Sequence, residues 1–272
     1  MTSAAALSLA FLAYSFLGAG LVMMKKGIGW LGWRGPRDGR FIRTLAVWVA
    51  GFLLMNLYIV PATVALKRLD SHVVASVAGW GVVVLVVLSR FSLGERATAW
   101  DAAHTVLIVG GIVVLNLLER PTAGQTLSRP AFIGVALAPF VVAALALVVR
   151  TAPAAGATLW AAISGMATGL LVMTMKILVG EHGLAVRAYF GSPYLYVYLL
   201  FSLLSFVALQ VALRRGALIA VGPVQYAAGI LVPVLCAAPV FGRRLHPLQF
   251  AASLVIVYGV AALLKRRGGE FA

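Results

Sequence analysis

Runs of about 20 residues almost free of charge recur from one end of this chain to the other, and they decide what it can fold into. Wound as a helix at 1.5 Å per residue, each is long enough to cross a hydrocarbon layer of roughly 30 Å. In lipid, backbone N–H and C=O groups must satisfy one another, so runs of this kind are read as α-helices. Bounded by charged or Pro/Gly-rich breaks, they fall at about 3–24, 44–66, 71–89, 99–118, 131–149, 157–179, 194–213, 217–241 and 248–264. The expected fold is an all-α polytopic membrane protein of about nine transmembrane helices. The stretches between the runs are too short to hold a soluble domain.

Composition agrees, with 62% hydrophobic residues, 11% charged residues and a mean hydropathy of +1.03. The 22 Lys+Arg against 7 Asp+Glu would suggest a nucleic-acid partner in a soluble protein. Here the basic residues stand in short loops, where they set orientation and meet anionic lipid head groups, so no nucleic acid is expected. With nine crossings the two ends lie on opposite sides, and 14 basic residues fall on one side against 8 on the other. The basic-loop bias then puts the N-terminus outside and the C-terminus in the cytoplasm, in the inner (plasma) membrane of a bacterium. Lys25 and Lys26, closing the first run, read as an anchor at the inner face. The first 20 residues lack the basic start of a cleavable signal and are expected to remain as a span. A single cysteine, Cys236, leaves no internal disulfide and no thiolate cluster for a metal.

The second half of the chain repeats the first. SFLGAGLVMMKK (Ser15 to Lys26) matches SGMATGLLVMTMK (Ser164 to Lys176) at an offset of 149 to 150. ALKR at 65–68 matches ALRR at 212–215, LGER at 93–96 matches FGRR at 241–244, and LIVGG at 107–111 matches VIVYG at 255–259, at offsets of 147, 148 and 148. One such match is cheap in an apolar sequence, but four in the same order at nearly one offset indicate a repeat. Two four-helix units result, 1–120 and 154–272, with 121–153 carrying one extra helix between them. One crossing between two even-numbered units forces the second to insert upside down. Inverted repeats are the build of many secondary transporters, which bind substrate near the midplane.

Residues 44–118 resemble the second to fourth helices of a small-multidrug-resistance subunit or an EamA-type half. The shared marks are Ala65-Leu66, the "LGE-basic-x-T" of Leu93 to Thr98, and Gly110-Gly111 in the last helix. The chain is thereby similar to the drug/metabolite transporter superfamily. The four-plus-one-plus-four plan looks closest to the NIPA-type magnesium transporters, whose first helix ends in a Lys-Lys-Gly signature like that of AYSFLGAGLVMMKKG. The later stretch YLYVYLLFSLLSFVALQVALRRGALIAVGPVQYAAGILVPVLCAAPVFGRRL, 194–245, is similar to that family's later region, with a Gln and an Ala-Leu before a V-x-P-x-x-Y element, here Val221, Pro223 and Tyr226. The second helix departs from the family pattern, reading GFLLMN with Asn56 and no acid. The resemblance implies a secondary transporter moving a small metabolite or an ion by alternating access, with a NIPA-like magnesium transporter as an alternative. A non-transporting membrane subunit or scaffold is the rival from another class, favoured by an interior without acids.

The residues bear on that choice. Asp38, Asp70, Glu95, Asp101, Glu119, Glu181 and Glu270 all fall in loops or at span edges. A proton/cation antiporter keeps a midplane carboxylate for which proton and cation compete, and the corresponding zone here is Leu17-Gly18, so that mechanism is disfavoured. Magnesium prefers one or two carboxylates, though a hydrated ion could pass along amides and carbonyls. Aromatic walls with few convergent polar groups suit a neutral or amphipathic solute. The candidate substrate pathway comprises Tyr14, Asn56, Trp80, Lys176, Gln210 and Tyr226, with Trp48, Tyr58, Trp160 and Gln225 lining the same interiors. Lys176, near the end of its span, reads either as a snorkelling side chain or as a cation for an anionic group. Gly222 and Pro223, in a run that also holds Pro233 and Pro239, mark a candidate helix break. Gly165 and Gly169, like Gly18 and Gly20, read as close-packing positions. His72, His104, His182 and His246 lack ligand spacing, so no metal site is expected. Neither a nucleophile triad nor a carboxylate pair appears, so no enzyme is expected; no cofactor is implied, and the oligomeric state stays open.

Overall fold

A computed structural model of the chain describes residues 3–28, 39–66, 69, 73–74, 77–96, 98–118, 127–148, 153–183, 186–242 and 246–269. Among these the charge-free runs are helical. They form α1 (Ser3–Gly27), α2 (Gly39–Leu57), α3 (Ile59–Leu66), α4 (Ala78–Leu93), α5 (Ala99–Leu117), α6 (Arg129–Val148), α7 (Pro153–His182), α8 (Val186–Tyr189), α9 (Pro193–Arg215), α10 (Leu218–Phe241) and α11 (Pro247–Gly269). Among the described residues seven segments are long and apolar enough to cross a membrane, α2 and α3 counting as one, so the protein is a polytopic membrane protein. α4 and the apolar part of α11, Pro247–Leu263, are apolar but shorter. Asp38, Asp70, Glu119 and Glu270, as well as His72, lie outside the described residues.

The sequence explains most of the helix ends. α4 and α10 each stop at a glycine in the left-handed region, Gly94 at φ 68° and Gly242 at φ 65°, a conformation that side-chain-bearing residues rarely adopt. The two glycines are related by the same 148-residue offset that aligns LGER with FGRR. α5 starts with a capping box. Asp101 N–H donates to Thr98 Oγ1 at 3.3 Å and Thr98 N–H donates to Asp101 Oδ2 at 3.0 Å.

Two differences from the sequence expectation concern proline. The second run is broken at Tyr58 between α2 and α3, because Pro61 has no N–H to give the Leu57 carbonyl four residues back. The break expected at Gly222 and Pro223 is absent, and α10 is one helix from Leu218 to Phe241. Pro223, like Pro233 and Pro239 further along, is carried in continuous helix, as prolines are in membrane spans where neighbouring helices and local adjustments satisfy the freed carbonyl.

The chain forms two compact units. The first holds Met1–Arg120, Gly216–Pro223 and Pro247–Ala272. In it α1 packs on α2, α3 and α4, and α5 packs on α4 and α11. Glycines set the spacing of α1: a Cβ on Gly20 would stand 2.7 Å from the Gly51 carbonyl, and one on Gly18 2.6 Å from the Gly81 carbonyl. The second unit holds Pro121–Arg215 and Val224–His246. There α7 packs on α6, α8 and α9, around a core of Phe132, Leu170, Met173, Ile177, Phe201 and Val240. A Cβ on Gly169 would stand 2.8 Å from the Gly229 carbonyl, and one on Gly165 would collide with the carbonyl of Gln225. The small residues expected to allow close helix approach lie at such approaches.

The boundary of the units differs from that of the sequence repeat. α11, expected from the sequence offset to belong to the second repeat, packs in the first unit against α5, the helix with which it aligns at that offset. Their seam is reciprocal. A Cβ on Gly111 would stand 2.5 Å from Ile256 Cγ1 and 3.2 Å from the Ala252 carbonyl. A Cβ on Gly259 would stand 2.8 Å from Ile108 Cγ1 and 3.3 Å from the His104 carbonyl. Adding 148 to Gly111 gives Gly259, and subtracting 148 from Ile256 and Ala252 gives Ile108 and His104, so the second pairing is the first with the two helices exchanged. The pair is antiparallel: Leu118, at the end of α5, accepts a 3.3 Å hydrogen bond from Gln249 at the start of α11.

Candidate functional site

Polar and aromatic side chains gather at mid-span in both units, around two serines that the repeat aligns. In the first unit Ser15 is the hub. Trp80 Nε1 donates to Ser15 Oγ at 2.9 Å, and Ser15 Oγ donates to the Phe11 carbonyl at 2.8 Å. The Phe11 and Trp80 rings meet edge to face at 5.5 Å, and Tyr14 lies 6.5 Å from Tyr58, centroid to centroid. Helical spacing produces the group, since positions 11, 14 and 15 share one face of α1. Of the sequence candidates, Tyr14 and Trp80 thus meet α1 at one level. Asn56 is exposed and turns its amide back onto its own helix, with Nδ2 donating to the Phe52 carbonyl at 2.8 Å.

In the second unit Ser164 is the hub. Its Oγ donates to the Ser205 carbonyl at 2.9 Å and receives Gln225 Nε2 at 3.4 Å. Thr168 Oγ1 donates to the Ser164 carbonyl at 2.9 Å, which leaves it to accept from Ser205 Oγ at 2.7 Å. Ser164 is fully buried. Gln225 Oε1 is buried and has no hydrogen-bond partner among the described residues. A hydroxyl in an apolar span needs a partner, and the Ser164–Thr168 spacing turns both toward Ser205. Sequence reasoning passed over Ser164, Thr168 and Ser205. The available signal was a Ser and a Thr four residues apart, on one face of the middle of an apolar run.

The other candidates are more scattered. Gln210 lies on α9 beyond Ser205, and Tyr226 lies beside Gln225 on α10; both are half-buried. Lys176 is exposed near the end of α7, its Nζ 5.0 Å from the centre of the Phe241 ring, a cation–π contact. Gly222 and Pro223 are buried in continuous helix, where a Cβ on Gly222 would stand 2.6 Å from the Leu85 side chain. Among the described residues no group of three or more His, Cys, Asp or Glu could hold a metal ion.

A third cluster surrounds the turn between α9 and α10. Lys25 Nζ donates to the Gly216 carbonyl at 2.7 Å. Glu95 Oε1 accepts the Leu218 N–H at 2.8 Å and Oε2 accepts the Ile219 N–H at 2.9 Å. Lys25 is therefore not the plain surface anchor that its position in the sequence suggests. Its cation meets the carbonyl end of α9 while a carboxylate meets the amide end of α10, each at the helix pole that favours it. The "LGE-basic-x-T" stretch has a structural purpose throughout: Gly94 ends α4, Glu95 caps α10, and Thr98 caps α5.

Comparison of the chain with known protein families, with curated proteins and with solved structures finds no match.

Proposed function

We propose that this protein is a secondary transporter of the drug/metabolite type, moving a small solute by alternating access. It is built as an inverted repeat of two four-helix units joined by one extra helix, nine crossings in all, with the N-terminus outside and the C-terminus in the cytoplasm. The observation that carries this reading is the reciprocal seam of α5 and α11, where each contact recurs with partners exchanged at the 148-residue offset. A self-complementary seam of that kind belongs to two-fold-related copies, and antiparallel counterparts belong to inverted ones.

The solute class follows from the mid-span chemistry. The Ser15 and Ser164 clusters offer hydroxyls, an indole N–H and amides among aromatic and aliphatic side chains, suited to a neutral or amphipathic molecule carrying a few hydrogen-bonding groups. In the second cluster, Gln225 Oε1 is the open acceptor for a donor on the solute.

The test is flux into liposomes containing the purified protein. A neutral or amphipathic solute should enter faster than into empty vesicles, and Ser164→Leu should reduce that entry at least severalfold. Magnesium entry should equal that of empty vesicles; entry above that level would favour the NIPA-like alternative. If no solute tested moves faster than in empty vesicles while the protein remains folded, the scaffold reading replaces this one.

A further inference from the structure

The turn between α9 and α10 carries more charge chemistry than a helix connection requires. Gly216 and Ala217 are half-buried, and Leu218 and Ile219 behind them are fully buried. One oxygen of Glu95 takes each of those two amides, and Lys25 takes the carbonyl on the other side of the turn. The two side chains also lie near enough to interact electrostatically. Two opposite charges from α1 and the end of α4 thus grip both ends of a four-residue turn.

Three features make this grip releasable rather than a permanent cap. α10 begins in the first unit and continues in the second, the division falling between Pro223 and Val224, just past the clasped amides. Pro223 has no N–H for the Ile219 carbonyl, so the helix ladder lacks a bond between the clasped turn and the rest of α10. Finally, the grip has no counterpart of the same charge in the repeat. The 148-residue offset carries Glu95 onto Arg243, so the matching sequence position holds no carboxylate.

We propose that Lys25 and Glu95 form a latch on the turn that leads into α10, and that release of the first turn of α10, pivoting at Gly222-Pro223, is a step of the transport cycle. This rests on the transporter reading. Release must admit water, since the Leu218 and Ile219 amides, once parted from Glu95, have to be hydrated.

The test reads the turn itself and needs no knowledge of the solute. In a Cys236→Ser background, Ala217→Cys is alkylated with a membrane-impermeant maleimide in nanodiscs, where both faces are open to reagent. Glu95→Gln keeps the size but replaces one accepting oxygen with a donor, and Lys25→Met keeps the stem without the cation. Each should raise the alkylation rate about tenfold, the weight of one charge-assisted hydrogen bond. The rate at Gly180→Cys, an open position near the end of α7, should not change. An unchanged rate at position 217, or an equal rise at both positions, overturns the latch. Should the variants not fold, hydrogen exchange on the unmodified protein decides: amides 218–222 should exchange faster than amides 224–232, and equal protection overturns the proposal. Altered alkylation without flux in the liposome assay refutes transport but leaves the latch standing. Flux with unaltered alkylation does the reverse.

Discussion

Gly110 and Gly111 are adjacent on α5 and have the same intrinsic cost in a helix, yet their surroundings are opposite. A Cβ on Gly110 meets nothing within 4 Å, while one on Gly111 meets Ile256 at 2.5 Å. Gly111→Val should therefore destabilise by about 1–3 kcal/mol through overpacking, while Gly110→Val should stay within about 0.5 kcal/mol of the parent. Thermal unfolding in detergent, followed by size-exclusion fluorescence, compares the two with the backbone effect cancelled. At the α5 cap, Thr98→Ala removes the hydroxyl that accepts the Asp101 N–H and should cost about 1 kcal/mol. At this scale the sequence was legible where chemistry is local. Thr98 and Asp101 have capping-box spacing, and Gly94 follows a helix. Glu95 was not legible, because its partners Leu218 and Ile219 lie more than a hundred residues away and offer only backbone. Lys25 was misread for the same reason.

Among the elements, the proline-bearing helices show what pattern reading leaves out. Val60-Pro61 and Gly222-Pro223 look alike as break signals, but only the first lies beside a break; Pro223, Pro233 and Pro239 all sit in continuous helix. Pro61→Ala restores the missing donor to the Leu57 carbonyl and should merge α2 and α3 into one helix, observable as slower hydrogen exchange at residues 58–62. Hydropathy located the α5 and α11 runs but could not show that they touch; the repeat offset came closer, since it aligned the residues that form the seam. The seam should respond as a coupled pair. Ile256→Ala should recover part of the stability lost in Gly111→Val, and Ile108→Ala part of that lost in Gly259→Val, with coupling energies of about 0.5–3 kcal/mol. Additive losses in both cycles would mean that the reciprocal contacts bear little weight.

For the molecule as a whole, the proposed inversion makes a sidedness prediction. Lys26 and Gly180 close α1 and α7, the two helices that begin the repeats, and both positions are exposed. In a Cys236→Ser background, Lys26→Cys should label only from the cytoplasmic side and Gly180→Cys only from the outside. Labelling of both from one side would rule out the inverted arrangement. The membrane class was legible throughout the sequence, because lipid restricts spanning backbone to so few solutions. The candidate site was legible only in part. Tyr14 and Trp80 come to one level of α1, whereas the Ser164 hub depends on which faces of α7, α9 and α10 meet, and hydropathy does not encode that.

The reciprocal α5–α11 seam has a consequence for the history and assembly of the chain. On the proposed reading it is the contact that two copies of a half-length protein would make in a dimer, now written into one polypeptide. Separate copies encoded by one gene must carry identical residues at matching sites, whereas fused copies are free to diverge. Glu95 and Arg243, opposite charges at matching positions, are a divergence that only fusion permits. The seam also predicts complementation: residues 1–123 and 124–272 expressed as two chains should reassemble, because α11 carries the second fragment's half of a contact that the first fragment already presents.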